Sequence, residues 1–290
     1  GKNPTGSFKD RGSSIDLTVA KEKKAPAIVL ASTGNMAASC ACYAAAAGIP
    51  CFVFVPEDTP PGKLAQVIAY GGKIIKVKGV YDDAARLAKQ SAEAFGFYLA
   101  GDYAFRVEGA KTAAFELIDQ FFYKVPAAVV VPIGCGTNMA GYAKGFFEYQ
   151  ELGYIKRVPK IIGTQAAGAN PVVRAIKNGT KGFEPLAKIS TVCGAIAVGD
   201  PLDGLKAIDA IRRTEGNAFS VTDEQSLQAQ YTLANEEGLF VEVSSATAIA
   251  ALEEIASAHP ELQGKDVVCV LTGDGLKDSA TLLKQAIQPP

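Results

Sequence analysis

The chain has 290 residues, 48% of them hydrophobic, which is material for one large or two ordinary domain cores and excludes a disordered polymer. A formal net charge of −1 with no sustained basic run gives no reason to expect nucleic acid or anionic membrane as a partner, and points to a small-molecule ligand. The six cysteines, at 40, 42, 51, 135, 193 and 269, lack CxxC pairing, so no zinc site or disulfide framework is indicated and a reducing cytoplasm fits.

In chain order, a helix is expected from Lys9 to about Lys24, where Ile15 and Val19 recur four apart and Pro26 closes the pattern. Ala27 to Ala31 reads as a buried strand, Ser32 to Asn35 as a polar turn, and an alanine-rich helix runs on to Gly48. The alternation continues with strand Cys51 to Val55, helix Gly62 to Tyr70, strand Lys73 to Val77, helix Tyr81 to Phe95 and strand Phe97 to Ala100. A second run has a helix from Val107 through Phe121, strand Ala127 to Val131, the loop Gly134 to Asn138 with a helix beyond it, and strand Lys160 to Gln165. Helices are expected at Asn170 to Lys177, Pro201 to Thr214 and Asp223 to Asn235, with a strand at Ala218 to Val221. The chain closes with helix Ser244 to Ala258, strand Asp266 to Leu271 and a helix from Asp278. Strands alternating with helices at these lengths predict an α/β fold of parallel sheets covered on both faces. No apolar run reaches the roughly 18 residues of a membrane span, and no signal peptide precedes the first motif.

Three stretches carry chemistry. In Asn3 to Gly12, NPTGSFKDRG, the turn at Pro4 and Gly6 leads to Ser7 as N-cap, with Asp10 completing an acidic capping box. Lys9 then lies in a first helical turn, where the dipole disfavours an ammonium by about 0.3–1 kcal/mol. A neutral amine there could attack an aldehyde; a solvated lysine offset by Asp10 explains the same letters. Gly134-Cys135-Gly136-Thr137-Asn138, between a strand and a helix, can converge backbone amides on an anion, or can simply be a tight turn. It is no Walker loop, and Met139 takes the place of the third glycine of GxGxxG. Ser32, Thr33, Gly34 and Asn35 offer two hydroxyls and an amide at a helix start, suited to a carboxylate. The single histidine, His259, beside Pro260, is expected to face solvent, which leaves triads, Cys-His pairs and multi-histidine metal sites without support.

NPTGSFKDRG resembles the segment that carries the cofactor lysine in fold-type II pyridoxal phosphate (PLP) enzymes, and its TGSFKDRG form is similar to the threonine synthase branch. The likeness continues through STGN at Ser32 to Asn35, FRVEGAKTAAFE at Phe105 to Glu116 and LTGDGLKD at Leu271 to Asp278, so it covers nearly the whole chain. It implies two doubly wound parallel-sheet domains: a large PLP-binding domain of residues 1–26 and 104–290, and a small mobile substrate domain of residues 27–103. Family enzymes carry structure ahead of the lysine motif, so an N-terminal segment is expected to be missing. The resemblance implies that Lys9 is the catalytic residue bound to PLP. It also assigns Gly134, Cys135, Gly136, Thr137 and Asn138 to the cofactor phosphate, Asn35 to the ring oxygen and Thr272 to the pyridine nitrogen. Substrate is implied at Ser32, Thr33, Gly34 and Asn35, with Arg106 and Lys111 as cations for a substrate phosphate. Arg106 paired structurally with Glu108 or Asp102 is the competing reading. The sequence departs from the branch at Cys135 and Thr137, where asparagine and glycine are more usual, and at Ala100 and Gly101, where asparagine and serine are.

The activity implied is a lyase reaction of threonine and amino-acid biosynthesis, converting O-phosphohomoserine and water to threonine and phosphate. The alternatives are β-elimination or β-replacement on serine, threonine or phosphoserine, and a catalytically silent ligand-binding protein. A cytoplasmic enzyme is expected, for which a homodimer is compatible.

Overall fold

The computed structural model describes residues 1–101, 104–279, 281 and 283. Packing divides the chain into two compact units, Lys2–Gly109, and Gly1 with Ala110–Pro290. In the first, the order is α1 (Lys9–Glu22), β1 (Ile28–Ala31), α2 (Asn35–Ala47), β2 (Cys51–Pro56), α3 (Pro61–Ala69), β3 (Lys73–Val77), α4 (Tyr81–Phe95), β4 (Tyr98–Leu99) and α5 (Ala104–Ala110). The four strands form one parallel sheet in the order β3-β2-β1-β4. Alternate residues feed opposite faces: Ile28, Leu30, Val53 and Val55 pack with α1, α2 and α3, while Val29, Phe54 and Val77 pack against Ala84 and Ala88 of α4. Covering both faces is why the central strands β1 and β2 read as unbroken apolar runs, while the edge strand β3 carries two lysines.

The second unit contains α6 (Thr112–Gln120), β5 (Ala128–Pro132), α7 (Thr137–Glu151), β6 (Lys160–Ala166), α8 (Pro171–Lys177), α9 (Gly204–Arg213), β7 (Ala218–Val221), α10 (Asp223–Glu236), α11 (Val243–Ala250), α12 (Leu252–Ala258) and β8 (Val267–Cys269). Its parallel sheet runs β7-β6-β5-β8, the same winding as the first: outward over three strands, then back across to the far side of the strand that began it. Val129, Val131 and Ile161 enter one core with α6, α7 and α9; Ala128, Val130 and Ile162 enter another with α11 and α12.

Two helices expected to be continuous are split. Lys111 separates α5 from α6 and Ala251 separates α11 from α12, yet both keep near-helical torsions, φ −60° and ψ −25° at Lys111 and φ −85° and ψ −5° at Ala251. The breaks are therefore lapses in the hydrogen-bond ladder, which periodicity of side chains does not register. The helix expected from Asp278 falls largely outside the described residues; Gly275–Asp278 form a short 3-10 turn. The capping box at Ser7 is also replaced. Phe8 occupies the N-cap, Ser7 Oγ accepts from the Lys9 amide at 3.3 Å, and the buried Asp10 carboxylate takes the amide and hydroxyl of Thr5, both at 2.7 Å. A carboxylate with two donors inside the turn has more to gain there than from one capping amide.

Two motif glycines are explained by the crossing of α1 and α5. A Cβ on Gly109 would lie 2.0 Å from the Arg11 carbonyl oxygen, and one on Gly12 would sit 3.3 Å from Arg106 Cβ. We expect Gly109→Ala to destabilise the protein by about 3 kcal/mol through overpacking; urea unfolding with an unchanged midpoint would refute this.

Candidate active site

In the second unit the strand winding reverses between β5 and β8, and ligands of open α/β sheets collect at the carboxyl ends of strands at such a point. Gly134–Asn138 follows β5, and Thr272 follows β8. Gly136, the N-cap of α7, has φ +91°, and a Cβ there would come within 2.6 Å of the Asp203 carbonyl oxygen. Only glycine meets both demands. Thr137 donates its hydroxyl proton to Asp203 Oδ2 at 2.7 Å, so its side chain is committed within the protein. Asn138 is 6% exposed, and its Nδ2 has no hydrogen-bond partner among the described residues. An amide buried with an unused donor costs about 1–3 kcal/mol unless a ligand accepts from it. Thr272, also buried, shares a 2.8 Å hydrogen bond with Ser245 Oγ, which in turn accepts from the Gly273 amide at 2.8 Å. Lys111 is held by Glu148 at 2.9 Å, on the contact between α6 and α7.

His259 is not the solvent-facing side chain expected. Its side chain is 12% exposed, with Nδ1 3.1 Å from Glu261 and the ring edge-on to Phe219. The turn is at the surface, but the imidazole folds back over an aromatic neighbour, a long-range contact that Pro260 does not announce. It precedes β8, whereas Thr272 follows that strand.

In the first unit Lys9 is the first residue of α1, half-buried, with Nζ 5.1 Å from the centroid of the Phe8 ring. Ser32–Gly34 lie between β1 and α2, at the carboxyl end of the strand where this sheet reverses, and Asn35 opens α2. The α2 N-cap is Gly34 without a side-chain cap; Ser32 Oγ accepts from the Gly34 amide at 3.3 Å. Arg106 is 2% exposed. One guanidinium nitrogen meets Asp16 Oδ2 at 3.3 Å, and the other donates to the Lys9 carbonyl and to Ser13 Oγ, each at 3.3 Å. Tyr98 adds a 2.6 Å bond to Asp16. Burial pushes the Asp16 carboxyl up, against the opposing pull of the Tyr98 hydroxyl and the Arg106 guanidinium. Asp16 is a partner that the local reading did not include, and Asp102 lies outside the described residues.

Sequence reasoning missed Asp203, Ser245 and Asp16. Asp203 stands in a DPLDG turn with nothing local to tie it to a loop 66 positions earlier, and Ser245 reads as one more helical residue.

Comparison with known proteins meets this geometry directly. The sequence profile of the family described as Pyridoxal-phosphate dependent enzyme matches residues 1–273. The chain belongs to that family. Within it, the chain is 43% identical to the threonine synthase of Methanocaldococcus jannaschii across 100% of its own length and 72% of that protein, and 41% identical to that of Mycobacterium leprae across 98% and 77%. Among solved structures, the processed form of threonine deaminase isoform 2 from Solanum lycopersicum aligns over 98% of this chain and 79% of its own, with TM-score 0.84 and 23% identity. Maize serine racemase aligns over 98% and 83%, with TM-score 0.82 and 23% identity. At that identity the two structures speak for the fold alone, which is the fold-type II α/β architecture expected.

The residues of the second unit fit a phosphorylated ligand. A left-handed glycine brings backbone amides to the start of a 15-residue helix, and the unpartnered Asn138 amide supplies a buried donor that lacks an acceptor. We expect Gly136→Val to keep a folded chain and weaken PLP binding at least about tenfold, measured by equilibrium dialysis and cofactor absorbance, with Lys144→Ala as the near-neutral comparison. Equal PLP affinity in folded Gly136→Val and Lys144→Ala would contradict the assignment.

Proposed function

We propose that this chain acts as a threonine synthase, converting O-phosphohomoserine and water to threonine and phosphate with PLP as cofactor. The observation that carries this is identity of 40–43% to threonine synthases from several organisms across 96–100% of the chain.

The residue roles are our own reading. Lys9 Nζ is the amine for the cofactor aldehyde and the group that carries the Cα proton, since the single histidine is turned onto Phe219 and Glu261. When bound, PLP supplies an electron sink that stabilises negative charge at the substrate Cα. The backbone amides of Gly134, Cys135, Gly136, Thr137 and Asn138, with the Asn138 side chain, take the phosphate. Asn35 serves the ring oxygen, and the Thr272 hydroxyl, oriented by Ser245, serves the pyridine nitrogen. A hydroxyl is too weak an acid partner to hold that nitrogen as a full cation.

Ser32, Thr33, Gly34 and Asn35 face the substrate carboxylate. Both candidate cations are paired at rest: Arg106 engages a substrate phosphate only by loosening from Asp16, and Lys111 only by leaving Glu148. Of the two, Lys111 has the smaller barrier, because it is 20% exposed and its loss of a partner is screened by water. The functional division we infer keeps residues 1–26 with 104–290 as the cofactor-holding part and residues 27–103 as the mobile substrate part.

In the same reading the enzyme works in the cytoplasm on a small-molecule amino-acid phosphate, without nucleic acid or membrane, and a homodimer is compatible with it. No helix among the described residues is long and apolar enough to cross a membrane.

Borohydride reduction of the PLP-loaded chain followed by peptide mapping is expected to label Lys9, and Lys9→Ala is expected to remove the label and all turnover while unfolding at a similar urea concentration. A label on another lysine would overturn the assignment. Phosphate release from O-phosphohomoserine, with threonine as the product, tests the reaction; a protein that ignores that substrate while deaminating serine or threonine would replace the substrate and leave the cofactor in place.

A further inference from the structure

Asp203 is the residue just ahead of α9, where an aspartate ordinarily turns its carboxylate onto the first amides of its own helix. It does not do so here: no side-chain cap is formed, and the carboxylate reaches back to the loop that follows β5. Three successive loop residues rest on this one residue. The Asp203 amide donates to the Cys135 carbonyl at 2.8 Å, the Asp203 carbonyl oxygen fills the space a Cβ on Gly136 would need, and Asp203 Oδ2 takes the Thr137 hydroxyl at 2.7 Å. The residue is 5% exposed, and its other carboxylate oxygen meets Lys206 Nζ at 2.5 Å, one turn into α9.

A buried negative charge beside a loop that receives a dianion is electrostatically the wrong choice unless it does something a neutral group cannot. Two features answer this. The carboxylate draws the only hydroxyl proton of Thr137 away from the helix start, so the anion is left to backbone amides and to the unpartnered Asn138 Nδ2. Lys206, more than half exposed, adds little to stability but cancels the carboxylate charge where the anion sits.

We propose that Asp203 is the positioning residue that sets the Gly134–Asn138 loop for the cofactor phosphate, with Lys206 neutralising it. This rests on the reading of that loop as the phosphate holder, and the test separates the two. Dissociation constants are measured for PLP and for pyridoxal, which lacks the phosphate, in the full chain and its variants. The wild type is expected to prefer PLP strongly; equal affinity for the two would overturn the phosphate reading and this proposal with it. Asp203→Ala is expected to weaken PLP about 10- to 100-fold and leave pyridoxal within about threefold, collapsing the preference. Asp203→Asn keeps an acceptor for Thr137 and is expected to retain most of it. Lys206→Met, leaving the carboxylate uncompensated, is expected to weaken PLP alone. A folded Asp203→Ala that keeps the wild-type preference, or one that weakens both ligands equally, would overturn the positioning role. Should that variant fail to fold, Thr137→Val removes the same bond from the loop side; an undiminished preference there would equally overturn it.

Discussion

A parallel strand can be joined to a parallel neighbour only if the chain returns over a face of the sheet to the strand's amino end, and that constraint arranges everything chemical in this protein. Each sheet steps outward over three strands and then returns across to the other side of the first. The loops leaving the first and fourth strands therefore depart in opposite directions at the carboxyl edge, and a crevice opens between them. Ser32–Asn35 follows the first strand of one sheet; Gly134–Asn138 and Thr272 follow the first and fourth strands of the other. Helices α2 and α7 start at that edge of their respective sheets, where the first-turn amides have no acceptor within their own helix.

Buried polarity has two different uses in the two units. In the first, Arg106 and Asp16 are both almost wholly excluded from water, and such a pair adds little net stability over an apolar equivalent. What it does is fix geometry. The guanidinium also holds the Lys9 carbonyl and Ser13, so the helix that begins with Lys9 has one register on α5, at the point where Gly12 and Gly109 let the backbones meet. In the second unit the buried Asn138 Nδ2 has no hydrogen-bond partner among the described residues. A buried donor of this kind costs about 1–3 kcal/mol unless an acceptor meets it, and in the function proposed above the cofactor phosphate is that acceptor.

The two carboxyl-edge loops are close in letters and unlike in setting. Thr33-Gly34-Asn35-Met36-Ala37 and Gly136-Thr137-Asn138-Met139-Ala140 both lead from a strand into a helix, which starts at Asn35 in the first and at Thr137 in the second. Around Gly34 there is open space and an extended backbone with φ −131°; Gly136 is left-handed and wedged against Asp203. An open loop can adjust to what it meets, whereas a braced one presents fixed amides.

Much of this was legible in the sequence. Strands such as Lys73–Val77 and Ala218–Val221, and helix Tyr81–Phe95, lie where expected, because β-rich runs and a helical apolar period bounded by glycines are short-range signals. The tight turn with glycine at 134 and 136 could be read for the same reason: the positive φ at Gly136 is a demand made within a few consecutive residues. Other features depend on which segments meet after folding. The tilt of His259 onto Phe219, the lapses of hydrogen bonding at Lys111 and Ala251, the diversion of Asp203 from its own helix to Thr137, and the choice of Asp16 for Arg106 across 90 positions belong to this class. A sequence by itself determines periodicity, turn chemistry and the supply of reactive groups. Only the tertiary structure decides which donor finds which acceptor, because that choice is made between groups far apart in the chain, once the sheets have brought them into contact.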